Sequence, residues 1–170
     1  MSMGKDRNVY DLNDKPFYID RQKQGNGSMP ACHYHNAYEI YYLLDGRRNY
    51  FIQNRTYPVV KGDIVLINIQ DIHKTMDAGQ SFSERILINF KKEFIFRHMD
   101  QDEDIDLLEC FRSKNKVIHL KIPEQAFVQS ILFKMADEYK KRQKGYITYE
   151  KILLKELLLF INRHMWELAD

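Results

Sequence analysis

The stretch GSMPACHYHNAYEIYYLLDG, residues 27–46, constrains the fold more than any other part of this chain. It places His33 and His35 two apart and Glu39 four further on. An aromatic and aliphatic run then leads to a DG turn. In an extended strand, successive side chains alternate between faces, so positions 33, 35, 37 and 39 share one side. Tyr41 and Leu43 continue that side, whereas Cys32 faces away. Two imidazoles and a carboxylate therefore point into one space, which must hold a metal, a ligand or packed core.

The surrounding sequence has the punctuation of an antiparallel β fold. Strands are predicted at 17–21, 33–44, 49–53, 56–60, 63–69 and 85–90. GNG at 25–27, DG at 45–46, KGD at 61–63 and DAG at 77–79 supply turn chemistry between them. Short strands at regular spacing with no helices between them imply a sandwich or barrel. Beyond Phe90 the period changes. Short helices are predicted at 91–99 and 104–112, with one more strand at 116–122. Pro123 suits a helix start, and Val128, Ile131, Leu132, Met135 and Tyr139 recur at helical spacing. KKRQKG then gives a cationic helix end and a stop at Gly145. A second helix, 148–168, carries ILLKELLLFI at its centre. It is apolar on more than one face, so it is expected to be buried from two sides.

Composition narrows the function classes. The chain has 170 residues, suited to one domain or one domain with an appendage. A net charge of +2 does not mark a nucleic-acid-binding surface. No apolar run approaches the roughly 18–20 residues that cross a membrane, and the N-terminus carries no secretory signal. The two cysteines, Cys32 and Cys110, lie in unrelated contexts, which fits a reducing cytoplasm. Isolated His98, His119 and His164 are expected to be surface or core residues. The acidic run at 100–106 lacks the glycine and terminal glutamate of a calcium loop, so it is read as a solvated loop feeding a helix.

The first string reads G-x5-H-x-H-x3-E-x6-G, from Gly27 to Gly46, and GDIVLINIQDIH sets His73 eleven residues after Gly62. In these spacings residues 17–90 resemble the cupin superfamily. The second motif departs from the family pattern: Asn68, Gln70 and Asp77 occupy its proline, glycine and asparagine positions. With the helix pair included, the layout is similar to the N-terminal sensor domain of AraC/XylS-type transcription regulators. That resemblance implies a mainly β fold: an antiparallel, jelly-roll-like cupin barrel over residues 1–122, with an N-terminal arm and short helices. A pair of antiparallel α-helices over 123–170 would form a dimerisation arm. It implies a small effector in the barrel, a homodimer through helices 123–143 and 148–168, and DNA contacts only through a domain absent from this chain.

Three uses of the site stay open. In metal-binding cupins the residues matching His33, His35, Glu39 and His73 are the ligands, a set that suits Zn, Fe, Mn or Ni. Alternatively no metal or cofactor is required, and His33, His35, Glu39, Tyr41 and His73 hold a hydroxyl-rich effector such as a sugar, with Tyr41 as a stacking wall. The third use is structural: buried polar groups pairing to fix register. A metal-dependent isomerase, epimerase or dioxygenase is the alternative function. The helix pair has no evident use in such an enzyme, so the expectation is a non-enzymatic, cytoplasmic sensor whose effector orders segment 1–16 or shifts the helices.

Overall fold

The computed structural model describes residues 15–25, 27–80, 82–96 and 104–168. Most of the expected N-terminal arm, His98 and the start of the acidic run lie outside the described residues. The strands are β1 (Phe17–Gly25), β2 (Tyr38–Asp45), β3 (Arg47–Ile52), β4 (Arg55–Val60), β5 (Asp63–Ile67), β6 (His73–Asp77), β7 (Phe82–Phe90) and β8 (Val117–His119). Two short helices, α1 (Lys92–Ile95) and α2 (Glu109–Arg112), precede β8. Two long ones, α3 (Ile122–Lys141) and α4 (Tyr146–Glu167), follow it.

The strands form a five-stranded sheet, β1-β7-β2-β5-β8, and a three-stranded sheet, β4-β3-β6. All pairings are antiparallel. The ladders do not close into one cylinder; two cupin-like sheets face each other instead. Tyr41 and Leu43 of β2 meet Tyr50 and Ile52 of β3, Val59 of β4 and Val65 of β5 between them. The alternate β2 residues Ile40, Tyr42 and Leu44 face outward, into a second core with the helices. This explains why YEIYYLLD lacks polar alternation: a strand buried on both faces reads as a continuous apolar run.

Two motif glycines have a backbone reason. Gly46 lies at φ +92, and a Cβ there would sit 2.6 Å from the Phe82 carbonyl oxygen. Gly62 lies at φ +91 and donates its N–H to Leu43 O at 2.8 Å, linking the turn before β5 to β2. Both require the left-handed region that only glycine enters without a steric penalty.

The helix pair packs on the outer face of the five-stranded sheet. Val128, Ile131, Leu132 and Met135 of α3 are buried, as their spacing predicts. Leu153, Leu154, Leu157, Leu158 and Ile161 of α4 join them. Each such side chain contributes roughly 1.5–3 kcal/mol by leaving water. His164 near the end of α4 bonds Glu124 near the start of α3, which makes the pair antiparallel. The turn between them differs from expectation. Arg142, at φ 51, takes the left-handed position that ends α3, while Gly145 instead caps the start of α4. Asp106, at the end of the acidic run, accepts from the Leu108 N–H at 2.9 Å and so helps to start α2.

Candidate functional site

His33, His35, Glu39 and His73 converge between the sheets, but not as one regular strand face. β2 begins only at Tyr38; residues 36–37 form a bend, and residues 33–34 make only bridge pairing. The alternation expected over 33–44 is broken because His35 Nδ1 bonds Ala37 O at 2.9 Å and folds the chain back locally. Other contacts restore the convergence. His33 and His73 form an isolated bridge with reciprocal backbone bonds, His33 N to His73 O at 3.0 Å and His73 N to His33 O at 2.9 Å. The Gln70 N–H reaches His35 O at 3.1 Å. Gln70 itself sits at φ 64, so the turn before His73 survives the missing glycine by straining a glutamine. Asp71 braces that turn: its carboxylate accepts from the Asn68 N–H and pairs with Lys116 Nζ at 3.0 Å.

Around the convergence, His35 Nε2 lies 2.9 Å from Glu39 Oε2 and His73 Nε2 lies 3.6 Å from the same oxygen. Tyr50 donates its hydroxyl to Glu39 Oε1 at 2.7 Å. The His33 and His73 rings are 4.2 Å apart, and His35 and His73 are 5.0 Å apart. One ring nitrogen from each of the three histidines lies within 4.8 Å of the others. All four residues are buried, His73 completely.

The electrostatics follow from that burial. Desolvation alone would raise the Glu39 carboxyl, but the His35 hydrogen bond and the close approach of His73, with the charge of both rings, outweigh it and hold the carboxyl well below its ordinary range. Desolvation would likewise lower His73, yet the nearby Glu39 carboxylate, with the Asp71 carbonyl on Nδ1, raises it. His33 has less compensation: burial, then the neighbouring His73, brings it down to about 4. Burial and the Glu39 charge push the Tyr50 phenol well above its usual value.

Tyr41 lies inside, as expected, edge-on to Tyr50 at 5.1 Å and an interplanar angle of 72°. Its hydroxyl is buried without a hydrogen-bond partner. Tyr50, the phenol that fixes Glu39, was not assigned a site role from sequence. Its signal was the alternation in RRNYFI, which puts Arg48, Tyr50 and Ile52 on one face of β3. Cys110 and Cys32 take no part: the first is buried in the outer core and the second is exposed. His119 bonds Asp63 from the surface, and His164 joins the helices.

A double sheet of this topology, with polar groups turned into its interior and helices on its outer face, is a cupin-type fold. The family model for the AraC-like ligand binding domain matches residues 17–113, and the chain belongs to that family. It is therefore the effector-sensing domain type of AraC regulators. Apo ToxT from Vibrio cholerae, in a lysine-to-alanine variant, is similar in structure over 84% of this chain and 54% of its own, with 14% identity and a TM-score of 0.55. Wild-type ToxT bound to an unsaturated fatty acid gives 86% and 52% coverage, 13% identity and a TM-score of 0.54. This chain thus spans about half the length of ToxT. A cupin family protein with a double-stranded β-helix fold from Methanocaldococcus jannaschii matches over 44% of this chain and 70% of its own, with 17% identity and a TM-score of 0.41. No curated protein matches the sequence. Among the described residues, no helix is long and apolar enough to cross a membrane.

Proposed function

We propose that the domain binds a small polar effector between its two sheets and passes the binding event to a homodimer formed through α3 and α4. The single observation that carries this reading is the buried set His33, His35, Glu39, Tyr41 and His73, inside a fold of the ligand-binding family. The three imidazoles and the Glu39 carboxylate are costly to bury for packing alone, since each must be desolvated and then paired. A hydroxyl-rich ligand of the sugar type would use the same donors and acceptors, with Tyr41 and Tyr50 offering aromatic faces. The fatty acid held by ToxT supports a small-molecule effector in this fold class and widens the range of candidates beyond sugars.

Dimerisation has a separate support. Phe127 and Phe133 on α3 and Ile147, Tyr149, Ile152 and Trp166 on α4 are exposed large hydrophobic side chains, with Ile152 at 56%. A dimer would cover such residues, and regulation would follow if the effector binds one arrangement of the helices better than another. DNA-binding units carried elsewhere would read that change; the domain itself performs no reaction. Calorimetric titration with galactose on wild type and Glu39→Ala tests the pocket. Equal affinity in the two removes Glu39 from it.

A second reading, a bound divalent metal, is favoured by one specific feature. His35 and His73 each turn Nδ1 to a backbone carbonyl, Ala37 O at 2.9 Å and Asp71 O at 2.7 Å. That arrangement fixes the ring orientation commonly seen in ligating histidines and leaves Nε2 toward Glu39. His33, His35, Glu39 and His73 therefore fit Zn, Fe, Mn or Ni, and a metal would supply Lewis-acid coordination of an effector oxygen. Elemental analysis of wild type against His73→Ala distinguishes this reading from the metal-free pocket.

A further inference from the structure

Two arginines face the same interior: Arg48 is buried with no carboxylate partner among the described residues, and Arg85 is half-buried with its guanidinium partly engaged. On β7, Ser83, Arg85, Leu87 and Asn89 alternate on the inner face, since Leu87 lies opposite Tyr41 and Asn89 opposite Glu39. On the facing sheet, Arg48 shares the inner side of β3 with Tyr50 and Ile52. Arg48 is 3% exposed. Its Nη2 donates to Gly27 O at 2.6 Å and is 3.4 Å from Thr75 Oγ1, both neutral. No carboxylate among the described residues pairs with it, and its Nε is buried without a hydrogen-bond partner. Arg85 reaches Gln22 Oε1 at 3.1 Å and Asp20 Oδ2 at 3.7 Å through Nη2, leaving Nη1 buried and unpartnered. The Tyr41 hydroxyl, Ser83 Oγ and Asn89 Oδ1 are unpartnered too. Arg85 lies on β7, the strand beside Tyr41 on β2, and Arg48 on the facing sheet, and both guanidinium charges act on the Tyr41 phenol.

The charges on this inner surface do not cancel. Glu39 is engaged by His35 and Tyr50, with His73 at 3.6 Å, and Asp20 pairs with Arg85 at 3.7 Å, which leaves Arg48 without an anion among the described residues. A guanidinium cannot shed its proton to escape burial, so an uncompensated one requires an anion. Planar N–H forks match a carboxylate, which accepts two parallel bonds.

From this we infer that the effector carries a carboxylate, held by Arg48 and Arg85 with the Tyr41 hydroxyl as a third donor. The inference rests on the proposed effector pocket and adds its chemical class. A sugar acid and a long-chain fatty acid would present the same group, so the test has one arm for each.

Calorimetric titrations would compare galacturonate with galactose, and cis-9-hexadecenoate with the corresponding alcohol, on wild type, Arg48→Gln, Arg48→Lys, Arg85→Gln and Tyr41→Phe. The expected result is that one acid binds at least about tenfold more tightly than its neutral counterpart. Arg48→Gln should remove that preference, and Arg48→Lys should retain part of it. If Arg48→Gln does not fold, Arg85→Gln makes the same comparison. The proposal is overturned if a neutral probe binds as tightly as its acid, if neither arginine variant changes the preference, or if neither acid binds with a Kd below about 1 mM. Galactose binding that Glu39→Ala abolishes, with no preference for galacturonate, would sink the carboxylate and leave the pocket standing.

Discussion

Glu150 offers the sharpest test of how the helix pair is packed. It lies in the second turn of α4, 1% exposed, and neither carboxylate oxygen has a hydrogen-bond partner. It borders a cavity of about 410 Å³ between β1, α1 and the helices, with Phe17, Phe94 and Tyr139. Burial, and secondarily the charge of Glu138 on α3, pushes its carboxyl up to about 8 from an ordinary 4.5. The folded protein therefore retains a proton that the unfolded chain releases between those values. Below pH 4.5 the group is protonated in both states and carries no penalty. As pH rises toward 8, stability falls by up to about 1.4 kcal/mol per unit, then levels off. The full loss is at most about 5 kcal/mol, comparable to the whole stability of a marginal domain. Glu150→Gln keeps the shape and cannot ionise. Urea melts at pH 5, 6, 7, 8 and 9 should show wild type losing stability across this range relative to the variant. The variant should be the more stable by roughly 3–5 kcal/mol at pH 9, reduced by whatever its own unpaired amide costs. Stability curves that stay parallel from pH 5 to 9 would refute the argument.

Other outcomes follow from single contacts. Tyr50→Phe removes a donor from a buried carboxylate, so thermal or urea melts should register a loss of about 1–3 kcal/mol; an unchanged midpoint would mean that Glu39 finds another partner. Gln70→Gly relieves a left-handed glutamine and should stabilise by roughly 0.5–1 kcal/mol, which the same melts read directly. Ile152→Glu places a charge on the exposed apolar side of α4. Sedimentation velocity should then show dimer shifting to monomer at a concentration where wild type stays associated. Under the metal reading, His73→Ala should reduce bound metal at least about tenfold by elemental analysis.

Much of the fold was readable from the chain because its signals are local. The turns at Gly46 and Gly62 follow from positive φ, and the buried face of α3 follows from a period of 3.6. β2 was recognisable as a strand from its unbroken apolar run. Its start was not: residues 36–37 bend, the His35 side chain bonds the Ala37 carbonyl across that bend, and no propensity encodes such a contact. Likewise Gly145 suited a helix stop, but the left-handed Arg142 closed α3 first.

The site divides along the same line. The motif spacings, through their resemblance to the cupin pattern, led to the expectation that His33, His35, Glu39 and His73 meet; regular strand alternation does not achieve it, and the backbone bridge between His33 and His73 does. Only tertiary structure decided what surrounds them. Tyr50 against Glu39, Lys116 against Asp71, and Arg48 against Gly27 and Thr75 bring together residues 11 to 45 positions apart. Such contacts arise when two sheets close over one another and desolvate whatever lies between. A lone arginine in a strand reads as surface until the opposite wall covers it. Its unmet charge, which gives the effector its expected chemistry, exists only in the folded interior.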